Sequence, residues 1–140
     1  MTDDVILNKI ASIERCLARI REETSAGLDS LSDQTVQDAV VLNLQRACEA
    51  SIDLASHLVA RHRLGIPQDS RHTFTLLFEA GLLDAAGHDA MRRMVGFRNI
   101  AVQEYQRLSL PILKAILTGN LGDFVRFSGA MLKAGDASGR

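Results

Sequence analysis

The chain of 140 residues has no tryptophan, a single tyrosine, two prolines and two cysteines, and its apolar runs are short. Runs of a few residues exclude a transmembrane helix, which needs about 20 consecutive apolar residues. The net charge of −1 argues against a protein that coats nucleic acid non-specifically, because such binding rests on a large basic surface. We therefore expect neither a membrane nor DNA as a partner.

The few metal-binding side chains are poorly arranged for a metal site. Cys16 and Cys48 have no partners at metal-ligand spacing and lie within apolar helical patterns, so we expect two free, buried thiols. None of the four histidines belongs to a zinc motif. The sequence predicts no metal ion and no cofactor. The acidic start of the chain predicts no secretory signal and hence a cytoplasmic protein.

Apolar residues recur every three or four positions through most of the chain, as is typical of amphipathic helices. The first helix carries the stripe Ile6, Ile10, Ile13, Leu17 and Ile20. A long second helix is predicted from about Gln34 to Arg63, and shorter ones follow Ser70, Asp84, Ser109 and Leu121. No segment alternates strictly enough to be a strand. The prediction is an all-α, up-and-down bundle of about five to six helices over residues 1–134, with a flexible tail at 135–140.

Residues 98–105, which read RNIAVQEY, carry most of the functional information. This octapeptide resembles the R-x4-H-x-Y signature of HEPN-domain RNases of the HepT type, with Arg98 and Tyr105 in place and Gln103 where the family has histidine. The resemblance extends over nearly the whole chain. It includes VLNLQRACEA at 41–50, LGIP at 64–67 and MVGFRN at 94–99.

The resemblance implies a HEPN fold and a homodimeric, metal-independent endoribonuclease that acts as the toxin of a two-gene module. Family members bind RNA in a cleft at the two-fold axis, where the two signatures face one another. The partner is an antitoxin of the MntA type, a minimal nucleotidyltransferase. It neutralises the toxin by transferring AMP to the signature tyrosine, which here is Tyr105.

The chemistry of RNA cleavage assigns roles to Arg98 and position 103. A guanidinium group can hold two phosphate oxygens and stabilise the charge of the transition state, which suits Arg98. The amide of Gln103 can form hydrogen bonds but cannot act as a general base. On an ideal helix the two side chains point about 140° apart. We therefore expect two copies of the chain to build one site, or the helix to loosen near Gln103.

Several neighbouring residues are candidates for supporting roles. Asn99 either orients its neighbours or contacts substrate. Glu49 and Asp53 lie one turn apart on the second helix, where a carboxylate could pair with Arg98 or simply belong to a solvated face. His57, a further turn on, could be a substitute base or an ordinary structural histidine.

The glutamine leaves two functions open beside a third, that of a purely structural helical adaptor. The chain is an endoribonuclease toxin impaired at its catalytic base, either by engineering or by natural degeneration. Alternatively, it is a non-catalytic helical dimer that binds a nucleotidyltransferase or a nucleotide. In the second case, Tyr105 would either accept the nucleotide or be an amphipathic residue at the dimer edge.

Overall fold

The computed structural model describes residues 3–103, 105 and 108–137. Within these ranges it contains six α-helices: α1 (Asp4–Glu23), α2 (Gln34–Arg61), α3 (Ser70–Glu79), α4 (Ala85–Gln103), α5 (Leu110–Gly119) and α6 (Leu121–Ala137). A short 3-10 helix, Leu28–Ser32, joins α1 to α2. The described residues form no strand. The predicted all-α bundle is confirmed.

Short polar side chains set where the helices begin. Asp3, Asp33 and Asp69 each accept a hydrogen bond from a backbone N–H in the first turn of α1, α2 and α3. Such caps satisfy N–H groups that have no partner inside the helix. Asp84 does the same for α4 by accepting from the Gly87 N–H at 2.7 Å. Ser109 caps α5.

Helix α2 ends at Arg61, two residues before the predicted end. Arg63 has φ +55° and Gly65 has φ +127°, conformations that cannot continue a right-handed helix. The chain then turns and α3 begins at Ser70. The predicted turn at 64–67 is therefore correct, and only the last predicted residues of α2 lie outside the helix.

Helix α2 lies at the centre of the bundle and contacts α1, α3, α4 and α6. Four of the five residues in the predicted α1 stripe are buried, and Ile10 is partly buried at its edge. Phe74 of α3 meets Phe127 of α6 edge-to-face, with ring centroids 5.5 Å apart. Both rings are fully buried, so this contact joins helices that are far apart in sequence.

Helix α4 packs antiparallel to α2, because Arg98 contacts Glu49 while Tyr105 contacts Asp38. Cys48 lies in this interface, 3.6 Å from the Met94 carbonyl oxygen. Its burial raises the pKa of the Cys48 thiol to about 12, which keeps it protonated. Cys16 is also free but only half-buried, so the prediction of two buried thiols holds fully for Cys48 alone.

The C-terminal helix is longer than the sequence suggested. Helix α6 continues to Ala137, past residue 135 where the flexible tail was predicted to start, and 138–140 lie outside the described residues. In the part of the chain that the structure describes, no helix is both long and apolar enough to cross a membrane.

The Phe74–Phe127 contact yields a stability prediction. Phe74→Ala should lower the free energy of unfolding by about 3–5 kcal/mol, because it removes buried surface and leaves a cavity. Val125→Ala, at a side chain that is 54% exposed, should change it by less than about 0.5 kcal/mol. Urea denaturation followed by circular dichroism measures both. Equal losses would contradict this description of the core.

Candidate active site around Arg98

Arg98 lies on α4 and is held by two other helices. Its Nη1 donates to Glu49 Oε1 of α2 at 2.8 Å, and its Nη2 donates to Ser70 Oγ, in the first turn of α3, at 3.2 Å. The Arg98 side chain is 21% exposed. Its Nε is buried without an acceptor among the described residues. The expected Arg98–Glu49 pair is present, and it fixes the guanidinium group at the surface where the three helices meet.

Gly96 of α4 lies beneath the side chain of Arg71, which extends from α3. A Cβ atom built on Gly96 would lie 2.8 Å from Arg71 Nη2, which is too close for an ordinary contact. Arg71 therefore lies across α4 at this point, and its Nε donates to the Arg92 carbonyl oxygen at 3.4 Å. Ser70, the residue before Arg71, accepts the hydrogen bond from Arg98.

Asp53 does not contact Arg98, although the sequence left such a pairing open. It forms an ion pair with Lys9 of α1, with Nζ and Oδ2 3.0 Å apart. The reason is helical geometry: one turn beyond Glu49, the side chain is rotated by about 40° around α2, here toward α1. Glu49 is thus the only one of the two carboxylates that contacts the guanidinium group.

His57 contacts Asp3, the residue that caps the N-terminus of α1, and not Arg98. Its Nε2 lies 2.8 Å from Asp3 Oδ2, and Arg61 contacts the same oxygen at 2.5 Å. The hydrogen bond with His57, followed by that with the Ile6 N–H, lowers the pKa of Asp3. The structure therefore gives His57 a partner away from Arg98, which disfavours its role as a substitute base.

Gln103 is the last residue of α4 and is exposed. No contact between Gln103 and Arg98 is found within the described residues of one chain, as their separation of about 140° around the helix predicted. Asn99 is partly buried next to Arg98. Among residues 3–103, 105 and 108–137, no group of three His, Cys, Asp or Glu side chains could hold a metal ion.

Tyr105 lies beyond the end of α4 and contacts the first turns of α2. Its hydroxyl donates a hydrogen bond to Asp38 Oδ1, and Gln34 Nε2 donates to the same oxygen at 2.7 Å. Partial burial, and then the hydrogen bond and charge of Asp38, raise the pKa of Tyr105 to about 12. The same hydrogen bonds lower the pKa of Asp38.

The sequence did not reveal three polar residues around the octapeptide. Asp38 and Ser70 contact it directly, and Gln34 contacts Asp38. The Gln34–Asp38 pair has the i,i+4 spacing of helix neighbours and could have been expected. The contacts of Ser70 with Arg98 and of Asp38 with Tyr105 span 28 and 67 positions, and no local pattern marks them.

Two exposed apolar residues accompany these polar contacts. Leu42 lies on the same outward face of α2 as Asp38 and Glu49 and is 42% exposed. Val102 lies one turn after Arg98 on α4 and is 55% exposed. We call the surface formed by Asp38, Leu42, Glu49, Arg98, Val102 and Tyr105 the signature face. It combines charged, polar and apolar groups over about 16 Å of α2, the length of 11 residues of helix.

The sequence of this chain matches a known protein family and a characterised relative. The sequence profile of the family described as ribonuclease HepT-like matches residues 8–131. The mRNA nuclease HepT of Shewanella oneidensis is 47% identical over 125 residues, which are 89% of this chain and 94% of that protein.

Solved structures of similar sequence have the same fold as this chain. A tri-AMPylated HEPN toxin of Shewanella oneidensis, in complex with an MNT antitoxin, is 46% identical with a TM-score of 0.88, and the match covers 92% of this chain and 97% of that one. A toxin–antitoxin structure with AMP-PNP is 45% identical with a TM-score of 0.88, over 92% of this chain and 98% of that one. From the sequence profile, the curated relative and these structures together, the chain belongs to the HepT-like ribonuclease family.

Proposed function

We propose that this chain is an endoribonuclease toxin of the HepT type, and that Arg98 binds the phosphate of the RNA linkage to be cleaved. The observation that carries the proposal is the way the guanidinium group is held. Of its five N–H groups, one on Nη1 and one on Nη2 are used by Glu49 and Ser70, and the Nε N–H is buried. One N–H on each Nη remains, which is enough to hold two phosphate oxygens.

The proposed cleavage is metal-independent. It requires removal of the 2′-hydroxyl proton, stabilisation of the phosphorane charge and protonation of the leaving oxygen. Arg98 supplies the second function. Gln103 can hydrogen-bond to phosphate or ribose but cannot take up a proton. We therefore expect this chain to bind RNA and to cleave it poorly.

We further propose that the active form is a homodimer with the signature faces turned toward one another. Support comes from Leu42 and Val102, which expose apolar surface directly beside charged groups. A two-fold axis at this face would bring Gln103 of one protomer toward Arg98 of its partner, which one helix alone cannot do.

The partner we propose is a nucleotidyltransferase antitoxin of the MNT type, and the acceptor of AMP is Tyr105. The toxin 46% identical to this chain is AMPylated and bound to an MNT antitoxin. Tyr105 is the only tyrosine of this chain and lies partly exposed on the signature face. AMP at this position would add bulk and negative charge to the signature face.

Gln103 favours a second candidate function, a non-catalytic helical dimer that binds the nucleotidyltransferase or a nucleotide. In that case Tyr105 and the signature face would serve the partner alone. This candidate shares the fold and the partner with the first and differs from it in one respect, the absence of RNA cleavage when an imidazole is restored.

Gln103→His should raise the rate of RNA cleavage by on the order of 10² or more, because it supplies the missing general base. Cleavage of a labelled RNA, in buffer with excess EDTA, measures the rate. Adding Arg98→Ala to this variant should abolish the gain. Gln68→His, at another exposed glutamine, is the matched control and should leave the rate unchanged. A Gln103→His chain as inactive as the control would favour the non-catalytic candidate.

The homodimer makes a separate prediction. In sedimentation equilibrium the unaltered chain should behave as a dimer, and Leu42→Glu should shift it to a monomer by placing a desolvated charge in the interface. Val125→Glu introduces the same charge at an exposed apolar residue of α6 and should remain dimeric. A monomeric unaltered chain would contradict the proposed two-protomer site.

A further inference from the structure

The phenol of Tyr105 is held by a carboxylate on another helix. Its Oη donates to Asp38 Oδ1, and the Gln34 amide donates to the same oxygen at 2.7 Å. Gln34 and Asp38 are one turn apart at the start of α2, so the carboxylate is fixed by its own helix. Tyr105 packs against the core while Asp38 is exposed. The contact therefore lies at the surface, where a second protein and a nucleotide can reach it.

We propose that Asp38 is the residue that positions Tyr105 as a nucleotidyl acceptor and receives its phenolic proton during transfer. This inference rests on the proposed function, in which Tyr105 accepts AMP. It adds a role for this chain in its own modification. The toxin would supply both the attacking oxygen and the group that removes its proton, and the partner would supply the bound nucleoside triphosphate.

A lone pair of Tyr105 Oη forms a bond with the α-phosphorus of ATP, and the bond from that phosphorus to the oxygen bridging to the β-phosphate breaks. Pyrophosphate leaves with the electron pair. The phenolic proton passes to Asp38 Oδ1 as the new bond forms, and then to solvent. Proton transfer accompanies bond formation, because a phenol is almost entirely protonated near neutral pH.

The product cannot keep the original contact. AMP-Tyr105 has no phenolic proton to donate, and its phosphodiester brings a negative charge next to Asp38. The hydrogen bond becomes a like-charge repulsion, so residue 105 must move away from α2. Because Gln103 lies only two residues before it, modification would also displace the position where the family has its histidine.

The contact itself can be tested without the partner. The chain has one tyrosine and no tryptophan, so the ultraviolet absorbance change on phenol ionisation reports Tyr105 alone. The unaltered chain should titrate with a midpoint of about 12, above the ordinary value of 10.0. Asp38→Ala should lower the midpoint, but not fully to that value, because burial also raises the pKa.

The raised pKa of Tyr105 also makes the stability of the fold depend on pH. The folded chain holds the phenolic proton more tightly than the unfolded chain, so the stabilisation from this group is complete below pH 10.0 and is lost as the pH rises toward about 12. Circular dichroism at each pH shows whether the chain is still folded. An unchanged phenol midpoint in folded Asp38→Ala would overturn the contact.

The kinetic test uses the full chain, ATP and the MNT antitoxin of Shewanella oneidensis, with AMP addition followed by intact mass. Asp38→Asn should lower kcat for the first AMP by on the order of 10², with KM for ATP and for the toxin unchanged. Asp38→Glu should recover part of the rate.

The controls separate this inference from the proposed function. Asp89→Asn removes an exposed carboxylate that pairs with Arg93 within α4, and it should be modified at the normal rate. If the unaltered chain receives no AMP, or if Tyr105→Phe receives as much, the proposed function fails. If the unaltered chain is modified at Tyr105 but Asp38→Asn keeps its kcat, or changes KM alone, the role of Asp38 is wrong.

Discussion

The ion pair between Arg98 and Glu49 defines the geometry on which the site depends. It joins α4 to α2 at one point, and the Tyr105–Asp38 hydrogen bond joins them again 11 residues earlier along α2. Only an antiparallel packing of the two helices satisfies both contacts. The octapeptide is thereby held by polar contacts at both ends, and Val102 and Gln103 between them are exposed.

Stability and function are carried by different groups in this molecule. Glu49 is 48% exposed, and an ion pair with so exposed a partner contributes little to stability, typically less than about 1 kcal/mol. The bundle is held instead by its apolar core, in which Phe74, Phe127 and the buried residues of α2 meet. The polar contacts of the signature face therefore orient side chains rather than hold the fold together, and a substitution at an exposed residue such as Gln103 need not disturb the fold.

Much of the fold could be predicted because its information is local. Asp33, Asp69 and Ser109 are typical N-cap residues and indicate where helices start. The apolar stripe of α1 indicates which of its faces is buried. The Arg98–Glu49 pair was one of two options that the sequence left open, the other being that Glu49 lies on a solvated face. The register of α4 on α2 was not predictable from such signals. It decides that Asp38 contacts Tyr105, that Ser70 reaches Arg98, and that Asp53 pairs with Lys9 instead.

The central claim, that Arg98 presents its free N–H groups to an RNA phosphate, is tested most directly by the salt dependence of RNA binding. Because Gln103 cannot act as a general base, we expect the RNA to stay intact during the measurement. Relative to the unaltered chain, Arg98→Ala should bind more weakly, and the slope of log K against log salt should fall by about 0.7 for each lost phosphate contact. Arg126→Ala, at a side chain 71% exposed on α6, should alter neither quantity. An Arg98→Ala chain with the affinity and slope of the unaltered one would contradict the account.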